Sequence, residues 1–421
     1  MKDSGLIKAT VAAAPSDSHT PFSVDRALHD LLHALQPPIE SLVKSGDRVL
    51  VKVNMGCSGA RGPEDRFTTH PAWLQAVILA LNGLGAKVFF GDDVARAGKH
   101  CEHIWEKTGM LEVAKKTGAT LIDFVSQGAR EVRGGLLYPR SYLVTNAYFD
   151  ADVIINAANC RSHANLGMSG AIKNMFGCVV GLRKQRIHNI FPGDVQRFAR
   201  VIADVHRTIP ADLSILDLTS VVEGHGAVSQ VRSVGLVLAS TDPVAVDTVA
   251  AEAIGYDRLQ IWPTYYGNKL GLGCNDPEQI SIRGVDWKDF PKQRLAYPLI
   301  SEMRRPGILD RISTMVNNGV LRPRPVITAS QCTGCGDCKA RCPVQCIEPT
   351  PKGAYEINLS KCADCGCCLK VCEQGAVNLQ FRGLAKVVRE LVYHSPKRIN
   401  AYSLTALDPA PGPARRQLPQ K

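Results

Sequence analysis

Arg48-Val49-Leu50-Val51-Lys52-Val53-Asn54 reads as a buried strand, and the segment after it decides the fold. A glycine-containing loop runs from Met55 to Thr69. Pro71 to Leu84 spaces its apolar residues as a helix, with proline in the first turn where its missing N–H costs nothing. Gly85-Ala86-Lys87-Val88-Phe89-Phe90 is the next strand and ends in Gly91-Asp92-Asp93. A strand, a helix and a strand within this length imply a right-handed parallel crossover.

The rhythm continues outward. A first strand over 6–14 and a helix over 24–35 precede the unit. A helix over 109–116, a strand over 120–124 and a small antiparallel excursion over 130–145 come after it. Further strands are expected at 152–157, 213–218 and 236–240, and helices at 166–182 and 194–207. Asp242-Pro243 opens a last helix, with aspartate as N-cap and proline at its first position. Strands alternating with helices predict a three-layer α/β domain on a parallel sheet over residues 1–287. Prolines and positive charge mark 288–325 as a basic linker, and 381–421 as a helix with a disordered basic tail.

Between these basic segments lies the strongest pattern in the chain. Cys332, Cys335, Cys338 and Cys342-Pro343 are followed by Cys362, Cys365, Cys368 and Cys372, an internal repeat offset by 30 residues. A thiolate loop with this spacing wraps three corners of a [4Fe–4S] cube and sends its fourth cysteine to the other cube. One cluster therefore takes Cys332, Cys335, Cys338 and Cys372, and the other takes Cys362, Cys365, Cys368 and Cys342. Zinc knuckles share the paired spacing, but zinc needs no ligand exchanged between halves. Cys346 and Cys367 fall outside the ligand spacing and read as packing residues. A small α+β two-cluster domain over 326–380 is the expectation.

The net charge of +11 falls in the linker and the tail. Such a collar suits an acidic electron donor such as a ferredoxin or flavodoxin. Nucleic-acid binding and a plain solvated linker are the competing readings, and charge without interleaved aromatics makes nucleic acid unlikely. The scattered remaining cysteines, the absence of a leader-like N-terminus and of any membrane-length apolar run point to a reducing, cytoplasmic setting.

Open α/β sheets bind ligands at the carboxyl ends of their strands. Those ends carry Lys52, Asn54, Arg61, Arg66, Thr69 and His70, then Asp92 and Asp93, then Asn159, Arg161, His163 and Asn165. Lys173, on an otherwise apolar and glycine-rich stretch, either snorkels to water or sits near a buried anion. Lys52, His163 and Lys173 are candidates to bind an anionic group or polarise a carbonyl, and His70 or His163 to supply protons. The histidines read equally as ordinary hydrogen-bonding residues, and Asp92 and Asp93 as turn caps. No nicotinamide fingerprint or phosphate loop occurs, so electrons would arrive through the clusters.

Val51-Lys52-Val53-Asn54, Thr68-Thr69-His70-Pro71, Ser162-His163, Ser169 to Gly177 and Asp242 to Asp247 resemble the domain-of-unknown-function 362 family, over about residues 45–260. Its members are often fused to a two-cluster ferredoxin domain, so the resemblance implies an α/β iron–sulfur protein without naming a reaction. The first α/β unit is also loosely similar, at the level of fold, to the nickel-pincer lactate racemases. The expected function is an iron–sulfur oxidoreductase passing electrons to a small anionic or carbonyl substrate. The alternative is a non-catalytic electron-transfer or maturation subunit.

Overall fold

The computed structural model describes residues 7–55, 62–94, 101–136, 139–163, 166–181, 184, 187, 195–223, 230–288, 290, 293–295, 324–362 and 367–380. Arg61, Asn165, Cys365, most of the expected linker and the whole of 381–421 lie outside these residues.

Eleven strands form the larger unit: β1 (Ala9–Pro15), β2 (Arg48–Lys52), β3 (Lys87–Asp92), β4 (Thr120–Asp123), β5 (Ala129–Arg133), β6 (Ser141–Thr145), β7 (Val153–His163), β8 (Gly167–Ser169), β9 (Leu213–Glu223), β10 (Gln230–Ser240) and β11 (Ile280–Arg283). The central sheet runs β11-β1-β10-β9-β7-β2-β3-β4, with β8 folded back on β7 and β5–β6 a separate hairpin. It is mostly parallel. The parallel-sheet expectation holds for most of it, while β10 runs against β9 and β1, and β8 against β7.

Alternation along each strand feeds two cores, as a strand with both faces covered requires. Val49 and Val51 of β2, Ile155 of β7 and Ile215 of β9 pack with the helices Pro21–Ala34 and Pro71–Gly83 on one face. Leu50 and Ile154 pack with the helix Val195–Thr208 on the other. Leu216, Leu238 and Val11 meet the helix Pro243–Ala253 beside it. Helices therefore cover both faces, and the chain reverses its direction of winding between β2 and β7.

The expected helix over 166–182 is not formed as one element. The segment makes β8, a single helical turn (Ala171–Asn174) and a 3-10 turn (Met175–Cys178). Two contacts replace the helix. Asp247 accepts from the N–H groups of Ala171 and Ile172 at 2.7 and 3.0 Å, and a side chain at Gly170 would collide with that carboxylate. A side chain at Gly177 would strike Asp92 and the end of Lys52.

The larger unit also extends into the expected linker. Leu295 is buried in its core, and Gln293 and Leu295 donate to the carbonyls of Ala253 and Ile254. At the far end, Arg324 and Pro325 already belong to β12 (Arg324–Ile327), which pairs with β15 (Val377–Gln380). Between them β13 (Ile347–Pro349) pairs with β14 (Tyr355–Ile357), and the short helices Asp337–Ala340 and Cys367–Val371 complete a small unit.

The small unit docks at the carboxyl end of β4. The Arg341 guanidinium bonds both oxygens of Asp123, the Ser126 hydroxyl at 3.0 Å and the Cys101 sulfur at 3.4 Å. Ala129 donates to the Pro343 carbonyl at 2.9 Å, and Val344 and Cys367 join the core beneath β2 and β7. A buried charge stripped of its partner is costly, on the order of 3–5 kcal/mol, whereas replacing both partners by neutral groups costs much less. Arg341→Ala is therefore expected to lower unfolding stability by about that amount in urea melts. The double variant Arg341→Met with Asp123→Asn is expected to recover most of the loss.

Candidate functional site

The winding reversal falls at the carboxyl ends of β2 and β7, the position of the ligand crevice in open α/β sheets. The adjoining strand ends supply a row of polar side chains. Asp123 of β4 is in register with Asp92 of β3, Lys52 of β2 with Asn156 of β7, and Asn159 of β7 with Asp217 of β9.

Lys52 forms part of the floor. It is wholly buried, 3.0 Å from Asp92, and bonds the Val53 carbonyl. Asp92 also accepts from the N–H groups of Met55 and Asp93, each at 2.8 Å. Lys184 and Asp93 form a second pair at 3.0 Å, and Asp93 accepts from Gly181 N–H at 2.7 Å. Burial opposes the charge on Lys184, but Asp93 and then Asp92 outweigh it and raise its pKa. Asp92 and Asp93, read either as site groups or as turn caps, thus hold the buried Lys52 ammonium and the largely buried one of Lys184. Every charge in this layer is matched, so its effect is to fix the 175–181 segment against β2 and β3. Wholly buried and paired with Asp92, Lys52 is not an open contact for a ligand.

Lys173 stands apart from that layer. It is half-buried, and burial followed by the nearby Arg161 guanidinium holds its pKa well below the ordinary lysine value. That lowering makes the amine easier to deprotonate than an ordinary lysine, the direction a proton-exchanging group needs. Its neighbour Asn174 donates to the Lys52 carbonyl and to Asn156, locking the turn to the floor. His163 closes the β7–β8 hairpin opposite Gly167 and is half-buried.

The loop before helix Pro71–Gly83 forms the crevice wall. Asn54 Nδ2 donates to the Phe67 carbonyl at 3.1 Å and to Asn159 at 2.7 Å, and Asn159 donates to the Arg66 carbonyl at 2.7 Å. Thr69 accepts from Asn54 N–H and donates to the Ala157 carbonyl. His70 caps the helix, its Nδ1 accepting from Ala72 N–H at 3.2 Å. Burial, then His19 and Arg66, push its pKa down to about 3 against the opposing pull of Asp217, so the ring is neutral at pH 7. Sequence reasoning misses His19 and Asp217, which lie 2.8 Å apart beside it. No local signal pairs residues 198 positions apart; only the position of β9 beside β7 does.

In the small unit Cys332, Cys335, Cys338 and Cys372 line one cavity of about 120 Å³, with Tyr355 and Val377 among its walls. Cys342, Cys346 and Cys368 are buried in the core of the same unit with Cys362 packed against it. Cys346, expected as packing, is buried in this core. Its sulfur lies 3.5 Å from that of Cys342, and it also neighbours Cys362. Cys367 faces the core of the larger unit. Among the described residues, no three His, Cys, Asp or Glu side chains are grouped as ligands of a single metal ion.

Asp247 supports the turn bearing Lys173, and its burial raises its pKa to about 7 despite the Ile172 and Ala171 N–H groups. A carboxyl whose folded pKa exceeds its unfolded value favours folding most at low pH. That contribution is lost as pH rises from about 4 to about 7. The stability of the parent relative to Asp247→Asn should therefore fall through this window and level off above it, measured by urea unfolding at each pH. A difference that rises with pH would contradict the assignment.

No helix among the described residues is long and apolar enough to cross a membrane. The family model described as "Domain of unknown function (DUF362)" matches residues 49–252. The Thylakoid-associated protein sll1697 of Synechocystis sp. is 32% identical over 264 residues, 62% of this chain and 80% of that protein. The NADH-dependent phenylglyoxylate dehydrogenase subunit delta of Aromatoleum evansii is 31% identical over 86 residues, 19% of this chain and 90% of that subunit. The lactate racemase apoprotein of Thermoanaerobacterium thermosaccharolyticum aligns at 12% identity and a TM-score of 0.38, over 60% of this chain and 58% of that one, a likeness too slight to carry a reaction across. The match over the α/β unit, together with a relative covered over most of its length, means that this chain belongs to the DUF362 family.

Proposed function

We propose that the chain is an iron–sulfur protein whose small unit brings single electrons to a substrate in the β2/β7 crevice. Cys332, Cys335, Cys338 and Cys372 would hold one [4Fe–4S] cluster, and Cys342, Cys362, Cys365 and Cys368 the other. The donor set fits: four thiols surround a cavity far larger than one ion, whereas zinc draws its sulfurs to about 2.3 Å. Bound there, such clusters supply one-electron transfer at a potential set by the surrounding hydrogen bonds and burial.

One observation carries this reading. Cys342 directly follows Arg341, and Arg341 is bonded to Asp123, the register partner of Asp92, which in turn pairs with Lys52. Adjacent strands lie roughly 4.8 Å apart, so the second thiol set stands only a few side-chain lengths from the crevice floor. Lys173 and Arg161 would bind an anionic or carbonyl group, with Lys173 exchanging a proton. The buried pairs Lys52–Asp92 and Lys184–Asp93 would keep that corner rigid and dry.

A second reading is supported by the similarity to a dehydrogenase subunit: this chain would be an electron-delivery subunit of a larger assembly. Its basic segments would then attract an acidic donor such as a ferredoxin or flavodoxin, with salt weakening the contact.

Anaerobic reconstitution followed by iron and sulfide analysis tests the cluster assignment. About eight iron atoms per chain are expected, falling to about four in Cys338→Ser. Iron well below that level, or stoichiometric zinc in its place, would overturn it. Re-oxidation of the reduced protein by fractionated metabolites separates the two readings. If the crevice is the site, Lys173→Met should slow that re-oxidation at least about tenfold without changing the iron count.

A further inference from the structure

Asp217, midway along β9, and His19, just before the helix Pro21–Ala34, form a pair that the electron-transfer reading leaves unused. His19 Nε2 lies 2.8 Å from Asp217 Oδ2, and Asp217 Oδ1 accepts from Thr219 N–H at 2.8 Å. An ionised carboxylate only accepts, so Nε2 carries the proton in this contact. Burial opposes ionisation of Asp217, yet the His19 and Thr219 contacts hold its pKa below the ordinary value. The remaining nitrogen, Nδ1, makes no hydrogen bond among the described residues. A carboxylate that fixes one ring nitrogen and leaves the other open gives the histidine a defined tautomer and direction.

The neighbouring His70 and its loop carry donors without an acceptor. The His70 ring lies 4.0 Å from that of His19, centroid to centroid. His70 Nδ1 is engaged with Ala72 N–H, so its proton is on Nε2, which is buried without a hydrogen-bond partner. The Glu64 carboxylate, at 3.7 Å, is too far to bond it. The Thr68 hydroxyl, on a residue only 1% exposed, also lacks a partner. Arg66 adds positive charge while bonded to Ser220, Glu64 and the Pro63 carbonyl. Its backbone sits in the left-handed region at φ 58°, a conformation that costs a non-glycine residue energy and is often retained at functional sites. Asp217 from β9 and His70 from the helix terminus face His19, and Glu64 and Arg66 of the loop lie beside His70.

We infer that His19 and Asp217 form the proton-exchange pair of the crevice, acting on a ligand oxyanion held by His70 Nε2–H and the Thr68 hydroxyl. Protonated His19 gives its Nδ1 proton to the ligand oxygen, keeps Nε2–H on Asp217, and regains a proton from water. The pair rests on the reading of the crevice as a substrate site, and is independent of cluster loading.

Long-range proton–nitrogen correlation spectra of the full-length chain, labelled with ¹⁵N-histidine, test it directly. His19→Gln identifies the signals. Neutral His19 should be the Nε2–H tautomer in the parent, and should lose that preference in Asp217→Asn. Inorganic phosphate and oxalate are then titrated separately. At least one should move the His19 and His70 signals, binding at least about tenfold more weakly to Thr68→Val, as expected for one hydrogen bond to a charged group. Phosphate alone would assign a phosphoryl ligand, and oxalate alone a carboxylate. An Nδ1–H tautomer in the parent, or no response to either anion at tens of millimolar, would overturn the inference. Failure of the cluster assignment would appear instead in the iron content and leave these signals in place.

Discussion

The Arg341–Asp123 ion pair is the contact on which the rest of the structure depends. Asp123 ends β4, at the outer limit of the parallel half of the sheet, and Arg341 immediately precedes Cys342. A bidentate guanidinium–carboxylate contact is directional in a way that a lysine contact is not. It fixes both where the small unit sits and how it is turned. The Ser126 hydroxyl, the Cys101 sulfur and the Ala129–Pro343 backbone bond surround it, so its charge is shielded from water and its loss would be felt at once.

From that anchor the polar strand ends continue inward as matched pairs. Asp92 holds Lys52, and Asp93 holds Lys184, with backbone N–H groups filling the remaining acceptor sites. Two buried ammonium groups would be untenable without these carboxylates. Their presence explains why the chain at Gly177 has no side chain and why Asn174 bridges the Lys52 carbonyl and Asn156. The crevice thus has a rigid, electrically balanced floor on one side. On its other side the loop carries Arg66, Thr68 and His70, with the His19 ring 4.0 Å from that of His70.

Much of this is legible in the sequence because it is local. The periodicity of 48–90 marks β2, the helix and β3, and Asp242-Pro243 marks the N-cap, with Asp242 accepting from Val244 and Ala245 at 2.9 Å. What the sequence hides is tertiary. The 166–182 segment has helical apolar spacing, but Asp247 captures its first N–H groups and Lys52 and Asp92 crowd Gly177. Lys52 reads as a candidate ligand contact because it ends a strand, whereas the apolar strand around it buries it against Asp92. His19 gives no signal because its partner Asp217 is brought to it only by the order of strands. Cys346 lies outside the repeat spacing, yet the turn after Pro343 returns its sulfur to Cys342.

The central claim is iron at the second thiol set, beside the crevice, with the small unit anchored through Arg341. Anomalous scattering at the iron edge from anaerobically grown crystals of the reconstituted protein measures this most directly. Two iron centres are expected, one of them bonded to Cys342, Cys362, Cys365 and Cys368, with Arg341 still on Asp123. Iron at neither thiol set, or a small unit bound away from the carboxyl end of β4, would contradict it.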